Sequence, residues 1–497
     1  MAGIGNSPEV KLAIVGVSRD CFPIQLTRNR LGEVVKACEA AGLRLYHCRK
    51  IVESEKDAIE ALAELEQAGA NAVVIYLGNF GPEGPISIFA KRFTGPAMIC
   101  AAAEESGHAL MDGRGDALCG MLSASYNVGL RNVRVHVPQM PLGKPKQIAA
   151  MVSHFQRVAK VLLGVEGLKI LTFGPRPQDF YACNAPIKGL YDLGVEVMEN
   201  SELDLLQLFQ AVGENDPEVV RAAEDMADEL GSANSYPDLL GKMARFEVAL
   251  TRFAENNLGS REFVIFANKC WPAFESAFGF VPCYVNSRLA GKGYPVACEA
   301  DIYGAISEYL CQLASDAPAT LLDINNTVPE DMISGTDLMN AEPSDLFMGF
   351  HCGNTPSACM KDYRMNYQVI MHRLMEGPQS KPDITRGTLE GRLRPGPVTF
   401  FRLQSTADGE LTSYIAEGNI LDIPPASFGS IGIVAIPGFA RFYRHVLIAK
   451  RFPHHAAVAF DICGRALFDA VSMLAVPDIS APLPYKALYP GENPFPG

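Results

Sequence analysis

The feature that most constrains the fold is a strand, helix and strand pattern in residues 291–327. Two short apolar runs, YPVAC and ATLLD, flank a segment whose apolar residues recur at helical spacing. These positions are Ile302, Ala305, Ile306, Tyr309, Leu310 and Leu313. We expect such a unit to be a right-handed crossover, which sets its two strands parallel in one sheet. Glu299 follows the first run and Asp323 ends the second, so the pattern predicts two carboxylates at the sheet edge where open α/β sheets hold ligands.

Elsewhere, strand-like runs alternate with helical patterns, as in doubly wound parallel sheets. One series begins with VKLAIVGV and a second with LKILTFG, after a helix predicted over residues 145–163. Beyond about residue 320 proline and glycine become frequent, and VTFFRLQ, LTSYIAEGNIL and SIGIVAIPG favour antiparallel or barrel-like strands. We therefore predict an α/β protein with two Rossmann-like domains, residues 1–165 and 166–318, followed by a C-terminal β-barrel-like α+β domain, residues 319–497.

Composition excludes several classes of protein. The net charge of −13 argues against nucleic acid as a partner, because its binders need a basic surface. No GxGxxG follows the first strand, which argues against a nucleotide cofactor. No apolar run approaches the roughly 20 residues of a membrane span, and the first residues do not resemble a signal peptide. Thirteen cysteines without a CxxC pair indicate reduced thiols, and we expect a cytoplasmic protein.

The histidines add candidate ligands to the two carboxylates. His351 follows an apolar run, and His454 and His455 stand at the start of a predicted strand that leads to a helix over residues 461–474. Two carboxylates and a histidine at element ends suit a divalent cation such as Mn²⁺. Each residue also has an ordinary explanation: Glu299 as a helix N-terminal acid, Asp323 as a turn cap, and the histidines as buried imidazoles.

Four motifs together resemble the L-fucose isomerase and L-arabinose isomerase superfamily. They are YPVACEADIYGA, LLDINN, FHCGN and PHHAAVAFD. Asp323, 24 residues after Glu299, is similar to the fucose branch, whereas His351 and the chain length are similar to the arabinose branch. Family members usually have Glu-Gly-Asp where this chain has Glu299, Ala300 and Asp301. We expect the extra methyl group to be tolerated unless the backbone there is left-handed.

The resemblance implies an aldose–ketose isomerase that binds Mn²⁺ or another divalent cation. By this likeness Glu299, Asp323 and His455 are metal ligands, and His351 is a candidate fourth ligand. His454 then faces the sugar, although the choice between the two adjacent histidines stays open. Glu299 and Asp323 are also the candidate catalytic pair, because moving a proton between the sugar's C1 and C2 requires an acid or base beside an enediolate that is stabilised electrostatically.

The resemblance also implies a homo-oligomer, commonly a hexamer, in which the first domain of one subunit closes the site of another. Arg19, Arg28 and Asn79 are then candidate sugar ligands, although an ordinary role as solvated loop residues would also explain them. Trp271 and Tyr181 are candidates to pack against the sugar.

The substrate stays open among L-fucose or D-arabinose, L-arabinose, and a modified hexose such as sulfoquinovose. An anionic substituent would require a cation such as Arg19, Arg28 or Arg288. Two alternatives are a non-catalytic sugar-binding protein, since paired Rossmann-like domains also form hinged binding proteins, and another metal-dependent sugar enzyme such as an aldolase or epimerase.

Overall fold

The computed structural model describes residues 6–495. The chain forms two compact units. The N-terminal unit consists of Pro8–Leu163 together with Asp469–Ala475, and the larger unit consists of Gly164–Phe468 with short stretches at both ends of the chain. The division into three domains stays a prediction.

The N-terminal unit contains five parallel strands in the order β2-β1-β3-β4-β5. The strands are β1 Leu12–Val17, β2 Tyr46–His47, β3 Ala72–Leu77, β4 Ala97–Ala102 and β5 Leu142–Gly143. The helices are α1 Ile24–Ala40, α2 Glu55–Gln67, α3 Glu83–Arg92, α4 Leu110–Gly113, α5 Ala117–Leu130 and α6 Pro145–Glu166. Every residue of β1, β3 and β4 is buried, as expected for parallel strands. The alternation read from the sequence is confirmed here as a parallel sheet.

One helix, α6, is long and apolar enough to cross a membrane by length and composition. Within this structure 56% of its apolar stretch is buried, which is typical of a core helix.

The larger unit begins with a four-stranded parallel sheet in the order β7-β6-β8-β9. Its strands are β6 Leu168–Gly174, β7 Glu196–Ser201, β8 Phe263–Ala267 and β9 Val296–Ala297. The helices of this part are α7 Lys188–Asp192, α8 Glu202–Ala211, α9 Pro217–Leu230, α10 Leu240–Asn257, α11 Phe274–Phe278, α12 Cys283–Gly291 and α13 Ile302–Ser315.

A mixed sheet follows in the order β12-β13-β16-β11-β10-β17-β14-β15-β18. Its strands are β10 Ala319–Thr327, β11 Leu346–His351, β12 Met360–Tyr367, β13 Arg386–Leu393, β14 Gly396–Ser405, β15 Leu411–Leu421, β16 Ser430–Ala435, β17 His455–Ala459 and β18 Asp478–Ser480. Helices α14 Glu330–Ile333, α15 Val369–Met371, α16 Phe439–Phe442 and α17 Gly464–Met473 lie between them in the chain. Because β15 also pairs with β16, the pairings through β16, β11, β10, β17, β14 and β15 run in a ring.

The predicted crossover is wrong. The strand before α13, β9, belongs to the four-stranded sheet, whereas the strand after it, β10, belongs to the mixed sheet and runs antiparallel to both of its neighbours, β11 and β17. The reason lies in α13, which is buried all round from Ile302 to Ala314 and packs against strands of both sheets. A helix without a solvent face needs cover on both sides, so it connects two sheets instead of returning to one.

Candidate active site

Glu299 is presented by a left-handed turn between β9 and α13. The backbone φ angles of Glu299 and Ala300 are 54° and 53°. The Ala300 N–H donates to the carbonyl oxygen of Asn268, which follows β8, at 2.8 Å. The backbone at Ala300 is therefore left-handed, which is the case in which its extra methyl group is unfavourable. A left-handed L-residue costs about 1 kcal/mol or more. The strain is held by surrounding structure, and the turn places Glu299 where its carboxylate reaches His455.

Asp323 and His455 face each other directly across the antiparallel pair of β10 and β17. His455 Nε2 lies 3.4 Å from Asp323 Oδ1 and 3.6 Å from Glu299 Oε2. The two carboxylates predicted to converge thus share one imidazole nitrogen. Only 2% of the His455 side chain is exposed, against 12% for Glu299 and 20% for Asp323, so the site opens on the side of the carboxylates.

Burial dominates the electrostatics of this group. It raises the pKa of Asp323 to about 6 and raises the pKa of Glu299 well above its ordinary value, although the charge of His455 opposes both shifts. Burial alone would lower the pKa of His455, but the hydrogen bond to Asp301 and the neighbouring carboxylates raise it to about 9. The three groups therefore depend on one another for their charge states.

Asp301 contacts the His455 ring nitrogen that points away from Glu299 and Asp323. Its Oδ2 lies 2.8 Å from His455 Nδ1 and accepts from Arg402 Nη1 at 2.6 Å, while its Oδ1 accepts from Arg402 Nη2 at 2.9 Å. Oδ1 also accepts from the Gly304 N–H at 2.9 Å, so Asp301 is the N-cap of α13. Burial would raise the pKa of Asp301, but Arg402 and His455 hold it well below its ordinary value. A permanent carboxylate therefore orients the imidazole, as beside histidines that ligate metals.

The other two predicted histidines flank the group. His351, at the end of β11, lies with Glu299 and Cys298 so that one ligand atom of each falls within 4.8 Å of the others. His454 Nε2 lies 3.8 Å from Asp323 Oδ1, and 37% of its side chain is exposed. Burial lowers the pKa of His351 to about 3 and that of His454 to about 4, so both are neutral imidazoles at physiological pH.

An aromatic side chain that the sequence did not single out, Phe180, covers the histidines. Its ring centroid lies 5.4 Å from that of His454 and 6.3 Å from that of Trp271, edge-on in both cases. Trp271 therefore contacts Phe180, which in turn contacts His454. Tyr181 is next in the chain, but 69% of it is exposed, and no contact places it against the histidines among the described residues.

Arg19, Arg28 and Asn79 belong to the N-terminal unit. The buried Asn79 side chain donates to Ser18 Oγ at 2.9 Å and accepts from the Arg19 N–H at 2.9 Å, so its amide organises the loops after β1 and β3. The Arg19 guanidinium lies 5.5 Å from the ring centroid of Phe80, and Arg28 is exposed on α1. Within this unit the two arginine head groups remain accessible.

Arg288, a candidate to bind an anionic substituent of the sugar, forms ion pairs with buried or half-buried glutamates of the same unit. It lies in the larger unit, is 7% exposed, and donates to Glu229 at 2.6 Å and to Glu247 at 2.9 Å. Glu247 also accepts from Lys292 at 2.6 Å. This buried network accounts for Arg288 as a structural residue.

The donor set fits a divalent cation. Glu299 Oε2, Asp323 Oδ1 and His351 Nδ1 are buried atoms without a hydrogen-bond partner among residues 6–495. Buried polar atoms are nearly always satisfied, so such a cluster points to a group that completes it. The separations of 3.4 and 3.6 Å around His455 Nε2 are close to the roughly 3 Å between neighbouring ligands of a divalent ion. Carboxylate oxygen and imidazole nitrogen suit Mn²⁺ and similar ions.

Sequence reasoning missed Asp301, Arg402 and Phe180. Asp301 lies two residues after Glu299 in a motif already singled out, and its position before a helix was a usable signal. Arg402 lies within the apolar run VTFFRLQ, where a charged residue in a buried strand implies a buried partner. Phe180 carries no signal, because it lies in a loop with no pattern.

Comparison with known proteins gives matches to two family models and to curated relatives. Residues 13–166 match the family model described as Fucose/sulfoquinovose isomerase, N-terminal domain, and residues 349–480 match the one described as L-fucose isomerase, C-terminal domain. The sulfoquinovose isomerase of Alkalicoccus urumqiensis is 26% identical over 328 residues, covering 64% of this chain and 67% of that protein. The sulfoquinovose isomerase of Priestia aryabhattai is 24% identical over 309 residues, covering 61% of this chain and 63% of that protein.

These matches define the class of enzyme: the chain is a sugar isomerase of the aldose–ketose type. It belongs to the fucose isomerase-like superfamily, as the sequence motifs indicated. The matched stretches span about two thirds of the length of these relatives.

Proposed function

We propose that the protein is a divalent-metal-dependent isomerase that converts an aldose to a ketose through an enediol. The observation that carries this proposal is the pair of buried oxygens, Glu299 Oε2 and Asp323 Oδ1, set on the same nitrogen of His455 at 3.6 and 3.4 Å. Neither oxygen has a hydrogen-bond partner in the part of the chain that the structure describes. A non-catalytic sugar-binding protein has no use for such an arrangement.

Glu299, Asp323 and His455 would hold the cation, and His351 would add a ligand from the side of Glu299. When bound, a divalent ion supplies Lewis-acid polarisation of the sugar carbonyl. Asp301 fixes the orientation of His455, so the imidazole presents Nε2 to the site. His454, beside Asp323 and partly exposed, would contact the sugar.

The proton is moved by the carboxylates. One of Glu299 and Asp323 takes the proton from C2 of the open-chain sugar and returns it to C1, and the other serves the hydroxyl proton. Phe180 lies beside the histidines and contacts Trp271, and this apolar pair would keep water from that side of the site and strengthen its electrostatic interactions.

For the substrate we propose a hexose with an anionic substituent, sulfoquinovose in particular. Support comes from the relatives, which are named sulfoquinovose isomerases. Because Arg288 is engaged by Glu229 and Glu247, the cation for a sulfonate would have to come from the accessible Arg19 or Arg28. We propose that these arginines reach the site of another subunit within a homo-oligomer, in keeping with the expected hexamer.

We also propose that the N-terminal domain is Rossmann-like, that the C-terminal domain is barrel-like and that the protein is cytoplasmic. The strand order β2-β1-β3-β4-β5 is that of flavodoxin-like doubly wound sheets, and it supports an N-terminal domain that is Rossmann-like in this broader sense. The ring of pairings through β15 and β16 supports a barrel-like C-terminal domain.

The test is an isomerase assay on chelator-treated full-length protein with Mn²⁺ added back. The panel contains sulfoquinovose, L-fucose, D-arabinose and L-arabinose, and ketose formation is measured. We expect turnover that requires the metal and is highest with sulfoquinovose. Equal turnover without metal would contradict the metal assignment, and ketose from a neutral sugar alone would contradict the substrate assignment. Sugar binding with no ketose under any condition would contradict the catalytic proposal itself.

A further inference from the structure

A second cluster of ligating side chains lies in the N-terminal unit and shares no residue with the proposed active site. His136, His154 and Asp469 each offer one ligand atom, and the three atoms lie within 4.8 Å of one another. All three residues belong to the same compact unit, since Asp469 opens the C-terminal stretch that packs with it. We propose that this cluster binds a transition-metal ion of the zinc class.

Each ligand is held by a rigid element. The His136 backbone is pinned to β4, since its N–H donates to the Ala97 carbonyl at 2.8 Å and its carbonyl accepts from the Ile99 N–H at 3.0 Å. Its ring stacks on that of Phe155, with centroids 5.8 Å apart and planes 9° apart. His154 lies on α6 and Asp469 on α17. His154 and Asp469 on helices, and His136 hydrogen-bonded to β4, are preorganised ligands, which lowers the cost of ordering a site.

The separations leave room for an ion after a small movement. His154 Nε2 and Asp469 Oδ2 are 2.6 Å apart, a distance that a single shared proton maintains. A cation would take the place of that proton, which moves to Nδ1 or to solvent, and the two ligand atoms would separate by a few tenths of an ångström toward roughly 3 Å. The rings of His136 and His154, with centroids 5.9 Å apart and tilted by 49°, can both present nitrogen to such a position.

The chemistry of the donors selects the ion. Two imidazoles and one carboxylate suit Zn²⁺, Co²⁺ or Ni²⁺ better than Mg²⁺ or Ca²⁺, which prefer oxygen. His136 is 4% exposed, whereas the His154 and Asp469 side chains are 16% and 23% exposed, so water can complete the coordination from the open side. The bound ion would cross-link residues 315 positions apart in the chain and stabilise the packing of the C-terminal stretch.

The experiment uses chelator-treated full-length protein and Co²⁺ as the probe, with bound metal counted after gel filtration and the thermal midpoint measured. Asp469→Asn is the main variant, because the amide keeps the shape of the carboxylate and is a weak ligand. His154→Gln is the second variant, and His47→Gln, an exposed histidine of the same unit, is the matched control. Glu299→Gln reports the proposed active site separately.

We expect Asp469→Asn and His154→Gln each to bind one equivalent of Co²⁺ fewer than the native protein and to lose part of the rise in thermal midpoint. His47→Gln is expected to retain both. The deficit in Asp469→Asn should persist when Glu299→Gln is added, whether or not the active-site proposal holds. An unchanged Co²⁺ stoichiometry in Asp469→Asn, or a deficit seen only with Glu299→Gln, would overturn the site. Should His154→Gln fail to fold, Asp469→Asn decides.

Discussion

Asp301 Oδ2 lies 2.8 Å from His455 Nδ1, and Arg402 grips the same carboxylate through both of its terminal nitrogens. All three side chains are almost fully buried. The imidazole that faces Glu299 and Asp323 is thus oriented by an ion pair that lies behind it. Since Asp301 is also the N-cap of α13, the start of this helix and the orientation of His455 depend on the same side chain.

We expect Asp301→Asn to weaken Mn²⁺ affinity about 10- to 100-fold, because partners of this kind set the orientation and basicity of a ligating histidine. The same change leaves Arg402 without its counter-ion, so a stability loss of roughly 3–5 kcal/mol is expected as well. A Mn²⁺ titration of activity, read with the thermal midpoint, separates the two effects. Asp408→Asn, an exposed turn residue of the same unit, is the control. An unchanged Mn²⁺ requirement in a folded Asp301→Asn protein would rule out the orienting role.

Glu299→Gln is expected to lower kcat by about 10² to 10⁴ at saturating Mn²⁺, since the amide removes a proton acceptor and weakens a ligand. The fold should be kept, because glutamine has the shape of glutamate and a buried site favours a neutral group. Asp323→Asn is expected to behave similarly. Initial rates together with circular dichroism test both, with Glu410→Gln, exposed in the larger unit, as control. Near-full activity of either variant in metal-replete buffer would show that its carboxylate has no catalytic part.

Ala300→Gly is expected to leave the thermal midpoint almost unchanged. Glycine relieves about 1 kcal/mol of left-handed strain, which offsets the roughly 0.8 kcal/mol lost with a buried methyl group. Ala305→Gly, buried in α13, loses its methyl group and also helix propensity, so it should destabilise by about 1–2 kcal/mol. Thermal unfolding of the two variants side by side makes the comparison. Equal destabilisation would mean that the turn at Ala300 is not strained.

Glu275→Gln is expected to stabilise the protein at pH 8 and not at pH 4.5. Burial raises the pKa of Glu275 from 4.5 to about 7, with the charges of Glu202 and Glu376 adding to the rise. Both carboxylate oxygens lack a hydrogen-bond partner within residues 6–495. Between pH 4.5 and about 7 the folded protein holds a proton that the unfolded chain has released, so stability falls as the pH rises through this window.

Glutamine removes that loss, which amounts to roughly 1–3 kcal/mol above pH 7. Denaturation midpoints of the native protein and Glu275→Gln across pH 4.5 to 8 provide the measurement, with Glu410→Gln as the exposed control. A difference between Glu275→Gln and the native protein that stays constant with pH would show that Glu275 does not change its protonation state on folding.

Much of the site was predictable because its ligands lie at the ends of patterned segments. Glu299 follows shortly after β9, His351 ends β11 and His455 begins β17, whereas Asp323 ends the apolar run ATLLD inside β10. The pairing of those strands was harder to predict from the sequence. The prediction of a crossover was wrong because the apolar stripe of α13 does not reveal that the rest of the helix is also buried. That remaining face carries polar residues such as Gln312 and Ser307, which are themselves buried.

The amino-acid sequence alone determined the α/β alternation, the superfamily and the identity of the residues proposed to act, since periodicity and short motifs are properties of neighbouring residues. Tertiary structure decided that Asp323 lies opposite His455, that the turn at Ala300 is left-handed, and that Asp301 and Arg402 stand behind the imidazole. These relationships join residues as far as 154 positions apart. Pairing register and buried charge depend on which distant segments pack together, and no local pattern encodes that.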